Sequence, residues 1–229
     1  MIVIVDAVRT AMGGFQGSLS SCTAPDLGAV VIKEAVARAG LSANDIDEVI
    51  MGCVLPAGLK QGPARQAMRQ AGLPDSTGAT TINKICGSGM KAVMQAADAI
   101  KAGSAEIVVA GGMESMSNAP YLMDKARAGF RMGHGKVIDH MFQEGLEDAE
   151  TGLSMGILAQ EMADKKGYTR EQQDDYAIGS LNKAVTAVQQ GFFKDEIVPV
   201  TVSSRKGDVV VEQDEQPLNA KADKIPTLR

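Results

Sequence analysis

Tryptophan is absent from the 229 residues, and aromatic side chains make up only 3% of them. Single-stranded nucleic-acid sites stack bases on aromatic rings, so such a surface is not expected here. Cysteine occurs three times, an odd number without paired spacing, which fits a reducing compartment and places the protein in the cytoplasm. Only two histidines are present, His134 and His140, and no Cys/His cluster has the spacing of zinc ligands, so no metal site is expected. No segment is long and apolar enough to cross a bilayer. The opening Met1 to Asp6 is too short and wrongly flanked for a secretory leader and reads as a first strand. A net charge of −5 gives no reason to expect nucleic acid or an anionic membrane as partner.

What is present is an ordinary globular composition, 45% hydrophobic and 22% charged, with length enough for a sizeable core. The first half alternates strand and helix. Strands are expected at Ile2–Val8, Glu48–Leu55, Ala79–Ile85 and Glu106–Gly112. Helices are expected at Pro25–Ala39, Pro63–Ala71 and Met90–Ala102, the last with Val93, Ala97 and Ile100 on its buried stripe. Such alternation implies a mostly parallel sheet with helices on its faces, and ligands in these sheets bind beyond the carboxyl ends of the strands.

From about Ser115 to residue 150 the texture changes to Met, Gly and charge with weak periodicity, and Lys125, Arg127, Arg131 and Lys136 make part of it basic. A loop of this length is usually functional or an excursion from the core. Two helices follow. The first spans Met155–Lys166; the second opens on the capping box Thr169-x-x-Gln172 and has a stripe of Ile178, Leu181, Val185 and Val188. Ile197–Ser203 and Asp208–Gln213 then read as two strands joined by a tight turn at Arg205-Lys206-Gly207.

Cys86 stands where an apolar strand runs into Gly87-Ser88-Gly89 and a helix begins. The glycines permit a sharp reversal, and the thiol is expected to meet the free N–H groups of the first helical turn. A helix N-terminus favours an anion by about 0.3–1 kcal/mol, rising to about 2 when partly buried. That lowers a thiol pKa by about one unit at most, so the residue still lacks a base, and the spacing ties neither histidine to it. Both histidines read as surface or loop positions. Cys53, in an apolar run, and Cys22, in a Ser-rich loop, read as structural. Free cysteine is also often just a small buried apolar residue, so for Cys86 both readings stand at this point. The run Gly87-Ser-Gly89-Met-Lys-Ala92 also matches a dinucleotide-binding pattern. The acidic residue at the required separation, Glu106, falls at the wrong end of its strand to meet a ribose.

Several separated motifs resemble the amino-terminal part of a thiolase of the acetyl-CoA acetyltransferase type. They are Asp6-Ala-Val-Arg9-Thr10, Asp47-Glu-Val-Ile-Met-Gly52, Pro63-Ala-Arg65-Gln66, Asn83-Lys-Ile-Cys86-Gly-Ser-Gly89, Val109-Ala-Gly-Gly-Met-Glu-Ser-Met116-Ser, Asp174-Asp175-Tyr-Ala and Lys194-Asp-Glu-Ile-Val-Pro199. The resemblance runs through essentially the whole chain. It implies an α/β, thiolase-like αβαβα layered fold, of which this chain is the first half. Residues 1–115 would be the N-terminal core, 116–200 an inserted, mostly helical loop domain, and 201–229 the return strands.

The resemblance also implies chemistry. Cys86 would attack the thioester of an acyl-CoA and become acylated, with its own backbone N–H in the oxyanion hole. The acyl group would pass to a second acyl-CoA or to free coenzyme A, which makes or cleaves a 3-ketoacyl-CoA. Coenzyme A would be substrate or product, with no prosthetic group, and lipid metabolism the setting. Leu146, Ser154 and Met155 would lie along the substrate, although Ser154 stands where many such enzymes have His. Leu218 stands where an Arg often contacts the nucleotide end. A homodimer or homotetramer is implied, the basic 125–136 loop resembling the tetramer-forming one. The family's activating His, its Asn-Glu-Ala-Phe segment and a second Cys have no counterpart here, so the 229 residues are expected to be a portion of a longer enzyme, inactive alone. Alternatives are a ketoacyl synthase-like condensing enzyme and a non-catalytic acyl-CoA or lipid binding module.

Overall fold

The computed structural model describes residues 1–205 and 207–228. At its centre are three parallel strands, β2 (Glu48–Gly52), β3 (Gly78–Ile82) and β4 (Val108–Gly112), in the order β3-β2-β4. They run in step: Glu48 lies beside Gly78 and Val108, and Gly52 beside Ile82 and Gly112. Their carboxyl ends are therefore level, and everything that follows them in the chain leaves the sheet at one edge.

Helices cover both faces, as the strand–helix alternation predicts. Helix α1 (Ala24–Arg38) starts at a capping box in which Thr23 and Asp26 exchange side-chain-to-backbone hydrogen bonds, with Pro25 in the first turn. It packs with α2 (Pro63–Gln70) on one face, where Ile32, Val36, Val49, Met51, Ala67 and Met68 form the main core. Helix α3 (Ser88–Ala102) packs on the other, against Ile50. Val49 and Met51 point one way and Ile50 the other, the period of two that a strand buried on both faces requires.

Two expectations change. Helix α3 buries Ser88, Ala92 and Ala96 rather than Val93, Ala97 and Ile100; Val93, Met90 and Met94 are exposed. The helix begins so close above Gly52 and Gly112 that its sheet-facing positions have room only for small side chains, which turns the bulkier residues outward. The expected first strand, Ile2–Val8, does not form, and the chain first enters a ladder just beyond it. Only β1 (Arg9–Thr10) joins a ladder, parallel to β7 (Ile197–Val198), while Ile2 to Val5 are exposed. An extended run becomes a strand only where a neighbouring edge takes its backbone groups, and residues 2–8 meet none among the described residues.

Between β4 and the later helices the chain makes short elements: β5 (Tyr121–Leu122) pairs antiparallel with β6 (Ile138–Asp139), and Phe142–Leu146 forms one wide helical turn. Helices α4 (Met155–Lys166) and α5 (Arg170–Gln189) follow, α5 opening on the expected Thr169–Gln172 capping box. Strands β8 (Val200–Ser204) and β9 (Gly207–Val211) form the expected antiparallel hairpin. Lys206 in its turn lies outside the described residues. A short helix, α6 (Glu215–Asn219), and a 3-10 turn over Ala222–Thr227 follow. The hairpin and β7 close a second core with Ala11 and Leu19.

Candidate functional site

Three glycines let the segment before α3 sit directly on the sheet edge. A Cβ on Gly52 would stand 2.6 Å from the Ser88 Cβ and 2.8 Å from the Gly89 nitrogen, and one on Gly112 would stand 3.4 Å from the Gly89 Cα. The turn 83–88 is built around Ser88, whose buried hydroxyl donates to the Ile85 carbonyl at 2.6 Å and accepts from the Lys84 N–H at 2.8 Å. Asn83 Oδ1 accepts from the Ile85 N–H at 2.8 Å. Together these hold Ile85 at φ +48°, a left-handed conformation rare for a β-branched residue. The strained residue lifts the next one, Cys86, off the sheet.

The Cys86 thiol is exposed, one residue before the helix-capping Gly87. It stands at the wall of a cavity of about 430 Å³, within the range of small-molecule sites. Leu55, Met113, Met116, Met141 and Leu146 supply most of the apolar wall. Its floor is the level edge formed by Gly52 and Gly112. Cys86, Ser88 and Gly89 all line this cavity, so the start of α3, where the first backbone N–H groups lack intrahelical acceptors, faces it.

Of the residues singled out in the sequence, Cys86 and Leu146 come together at this cavity. Ser154 and Met155 stand at the start of α4; Ser154 bridges to Glu147, the neighbour of Leu146, but neither Ser154 nor Met155 lines the wall. Leu218 lies in α6, half exposed. His134 is exposed, whereas His140 is buried, contrary to its reading as a surface or loop residue. Its backbone N–H donates to the Pro120 carbonyl and its Nε2 accepts from the Ala57 N–H, which tucks the ring between two loops. Neither histidine lines the cavity. Glu106 precedes β4, at the end opposite Gly87–Gly89, as its position in the sequence implied.

The other thiols differ from Cys86. Cys53 is 1% exposed, and burial together with the charge of Glu114 pushes its thiol up to about 12. Cys22 is half-buried, and burial and the nearby Asp26 raise its pKa as well.

One polar group in the cavity wall escaped sequence reasoning. Glu114 follows β4 closely, and its carboxylate accepts the N–H groups of Val54 at 2.7 Å and Leu55 at 3.1 Å. The signal was available: an acidic residue just past the glycines of a buried strand, at the edge where ligand sites gather.

Comparison with known proteins bears on this arrangement. Residues 2–229 match the family described as thiolase, N-terminal domain. The chain is 52% identical over 217 residues to an acetyl-CoA acetyltransferase of Pseudomonas aeruginosa, covering 94% of this chain and 55% of that protein. It is 56% identical over 209 residues to one of Cupriavidus necator, with 91% and 53% covered, and 53% identical over 229 residues to one of Escherichia coli, with 99% and 58% covered. The chain thus spans somewhat more than half the length of these relatives.

Proposed function

The chain belongs to the thiolase family, and from that membership we propose that Cys86 is the nucleophile of an acyl-CoA acyltransferase. The observation that carries this reading is the exposed thiol at the wall of an apolar cavity beside the start of α3, with the other two thiols buried or half-buried and raised in pKa. The Cys86 sulfur attacks the thioester carbonyl of an acyl-CoA, the carbonyl oxygen takes up negative charge, and backbone N–H groups at the turn stabilise it. Coenzyme A leaves as the thiol and an acyl-cysteine remains. In the second half-reaction a carbanion of another acyl-CoA takes the acyl group and a 3-ketoacyl-CoA forms; in the cleaving direction Cys86 attacks the 3-keto carbonyl, the acyl-CoA carbanion leaves and is protonated, and free coenzyme A takes the acyl group from the cysteine. Acetyl-CoA acetyltransferase activity is the reading that the relatives' names support.

The same reading makes coenzyme A a substrate and product rather than a resident group, and gives the cavity the acyl end. Leu146 contributes wall, and Ser154 and Met155 at the start of α4 lie along the pantetheine. Residues 1–115 form the N-terminal core, 116–200 an inserted loop domain and 201–229 the return strands. A homodimer or homotetramer is supported by the exposed Met90, Val93 and Met94 on α3 and by the basic stretch 125–136. Cytoplasmic lipid metabolism fits three free cysteines.

The test is intact-mass spectrometry after mixing with acetyl-CoA or acetoacetyl-CoA. An acetyl adduct mapped to Cys86, and lost in Cys86→Ser, is the expected result. An adduct on Cys22 or Cys53, or no adduct with any acyl-CoA, refutes the assignment.

A further inference from the structure

We propose that Glu114 is a positioning residue that sets which acyl groups Cys86 accepts; the proposal rests on the reading of Cys86 as the nucleophile. The ladder bonds of the sheet end at the level edge, where the Cys53 N–H donates to the Ile82 carbonyl and the Met113 N–H to the Gly52 carbonyl. Beyond that edge, Val54 and Leu55 have left the sheet. The Glu114 carboxylate takes over there, accepting both of their N–H groups, and the Cys53 thiol lies 3.5 Å from the same carboxylate. Hydrogen bonds to an ionised acceptor are about twice as strong as neutral ones. Two of them on consecutive residues fix the backbone of the wall as well as one side chain.

That backbone places Leu55, which is 6% exposed and reaches across toward Gly145 of the turn 142–146. Leu55 and Gly145 both line the Cys86 cavity, one from the sheet edge and one from the facing segment. The width of the cavity at this level is therefore set where Glu114 holds Leu55. Apart from Cys86 and the internally bonded Ser88 the rest of the wall is apolar or glycine, so an acyl chain is sorted here by fit, where each methylene is worth about 10–200-fold in specificity. Glu114 itself contacts the wall rather than the sulfur, since both its oxygens are engaged by Val54 and Leu55.

The experiment measures rates of Cys86 modification by methyl, butyl and hexyl methanethiosulfonate, with glutathione as a reference thiol free of any cavity. In each reaction the thiolate attacks the sulfenyl sulfur, methanesulfinate leaves and a mixed disulfide forms, so the readout is independent of catalytic turnover. In the unsubstituted protein the hexyl-to-methyl rate ratio at Cys86 is expected to differ from that of glutathione. Glu114→Ala should move the ratio back toward the glutathione value by about tenfold, and Glu114→Gln, which keeps one acceptor oxygen, by less. If Glu114→Ala does not fold, the isosteric Glu114→Gln carries the test. A ratio unchanged in the folded variants, or all three rates lowered equally, overturns the proposal, because a purely structural role would not alter selectivity. A ratio equal to that of glutathione in the unsubstituted protein also overturns it. If Cys86 takes up none of the probes, the nucleophile reading itself fails.

Discussion

The Arg9 guanidinium grips the Asp214 carboxylate with two hydrogen bonds, at 2.6 and 2.9 Å, across 205 residues of sequence. Asp214 is only 2% exposed and also accepts the Met12 N–H at 2.8 Å. Arg9 reaches Glu196 at 2.6 Å with its remaining edge and stacks over the Phe193 ring. This cluster ties β1 to the strands that follow the helical segment, and so fixes how the end of the chain lies against the beginning.

Asp214→Ala is expected to destabilise the protein by about 3 kcal/mol, the low end for breaking a buried pair, because Arg9 is partly solvated. Urea unfolding checks it. Hydrogen bonding to Arg9 holds the Asp214 carboxyl below its ordinary range. A depressed folded-state pKa stabilises the fold above the unfolded value of about 3.9 and loses that contribution as pH falls below it. Unfolding between about pH 5 and pH 2 should therefore be less steep in Asp214→Ala than in the unsubstituted protein.

Iodoacetamide at neutral pH, followed by peptide mapping, should label Cys86 first. Cys22 should follow slowly, and Cys53 should react only on unfolding, because its thiol is buried and shifted to about 12. Preferential labelling of Cys22 or Cys53 would contradict the nucleophile assignment.

Gly52→Ala places a methyl group 2.6–2.8 Å from Ser88 and Gly89 backbone and side-chain atoms, so the turn that carries Cys86 must move. A loss of about 1–3 kcal/mol is expected, as for other overpacked sites, read by thermal unfolding. The rate of Cys86 labelling should change in the same variant. Gly179→Ala, in α5 with nothing within 4 Å and no left-handed φ, serves as a control for the labelling rate.

No histidine lines the cavity among the described residues, and the carboxylate that does, Glu114, is engaged by the Val54 and Leu55 N–H groups. With acetoacetyl-CoA and coenzyme A these 229 residues should give a stoichiometric acyl adduct, followed by mass, and no sustained cleavage. Continuous turnover would show that a proton acceptor reaches Cys86 after all.

Much of the layout could be read in the sequence, because it rests on short-range rules. The apolar runs of β2 and β4, the Thr169–Gln172 cap and the glycines flanking Ser88 are each explained by a few neighbouring residues, although β2 ends at Gly52 rather than at the expected Leu55. The glycine turn at Cys86 was legible for the same reason. Other features depend on what lies across space. Helix α3 turned its small residues inward because the sheet edge left room for nothing larger. Residues 2–8 stayed outside a ladder because a strand needs a neighbour, which no local pattern supplies. His140 was tucked in by hydrogen bonds with Pro120 and Ala57, and Glu114 found its partners in Val54 and Leu55, 60 and 59 positions away.

By itself, then, the sequence determined the order of elements, the parallel sheet and the single cysteine poised on a turn, since helix periodicity, strand alternation and glycine turns act over a few residues. Only the tertiary structure decided which face of α3 is buried, how wide the cavity beside Cys86 is and which acid holds its wall. Those depend on steric exclusion and charge-assisted hydrogen bonds between segments that chain folding alone brings together.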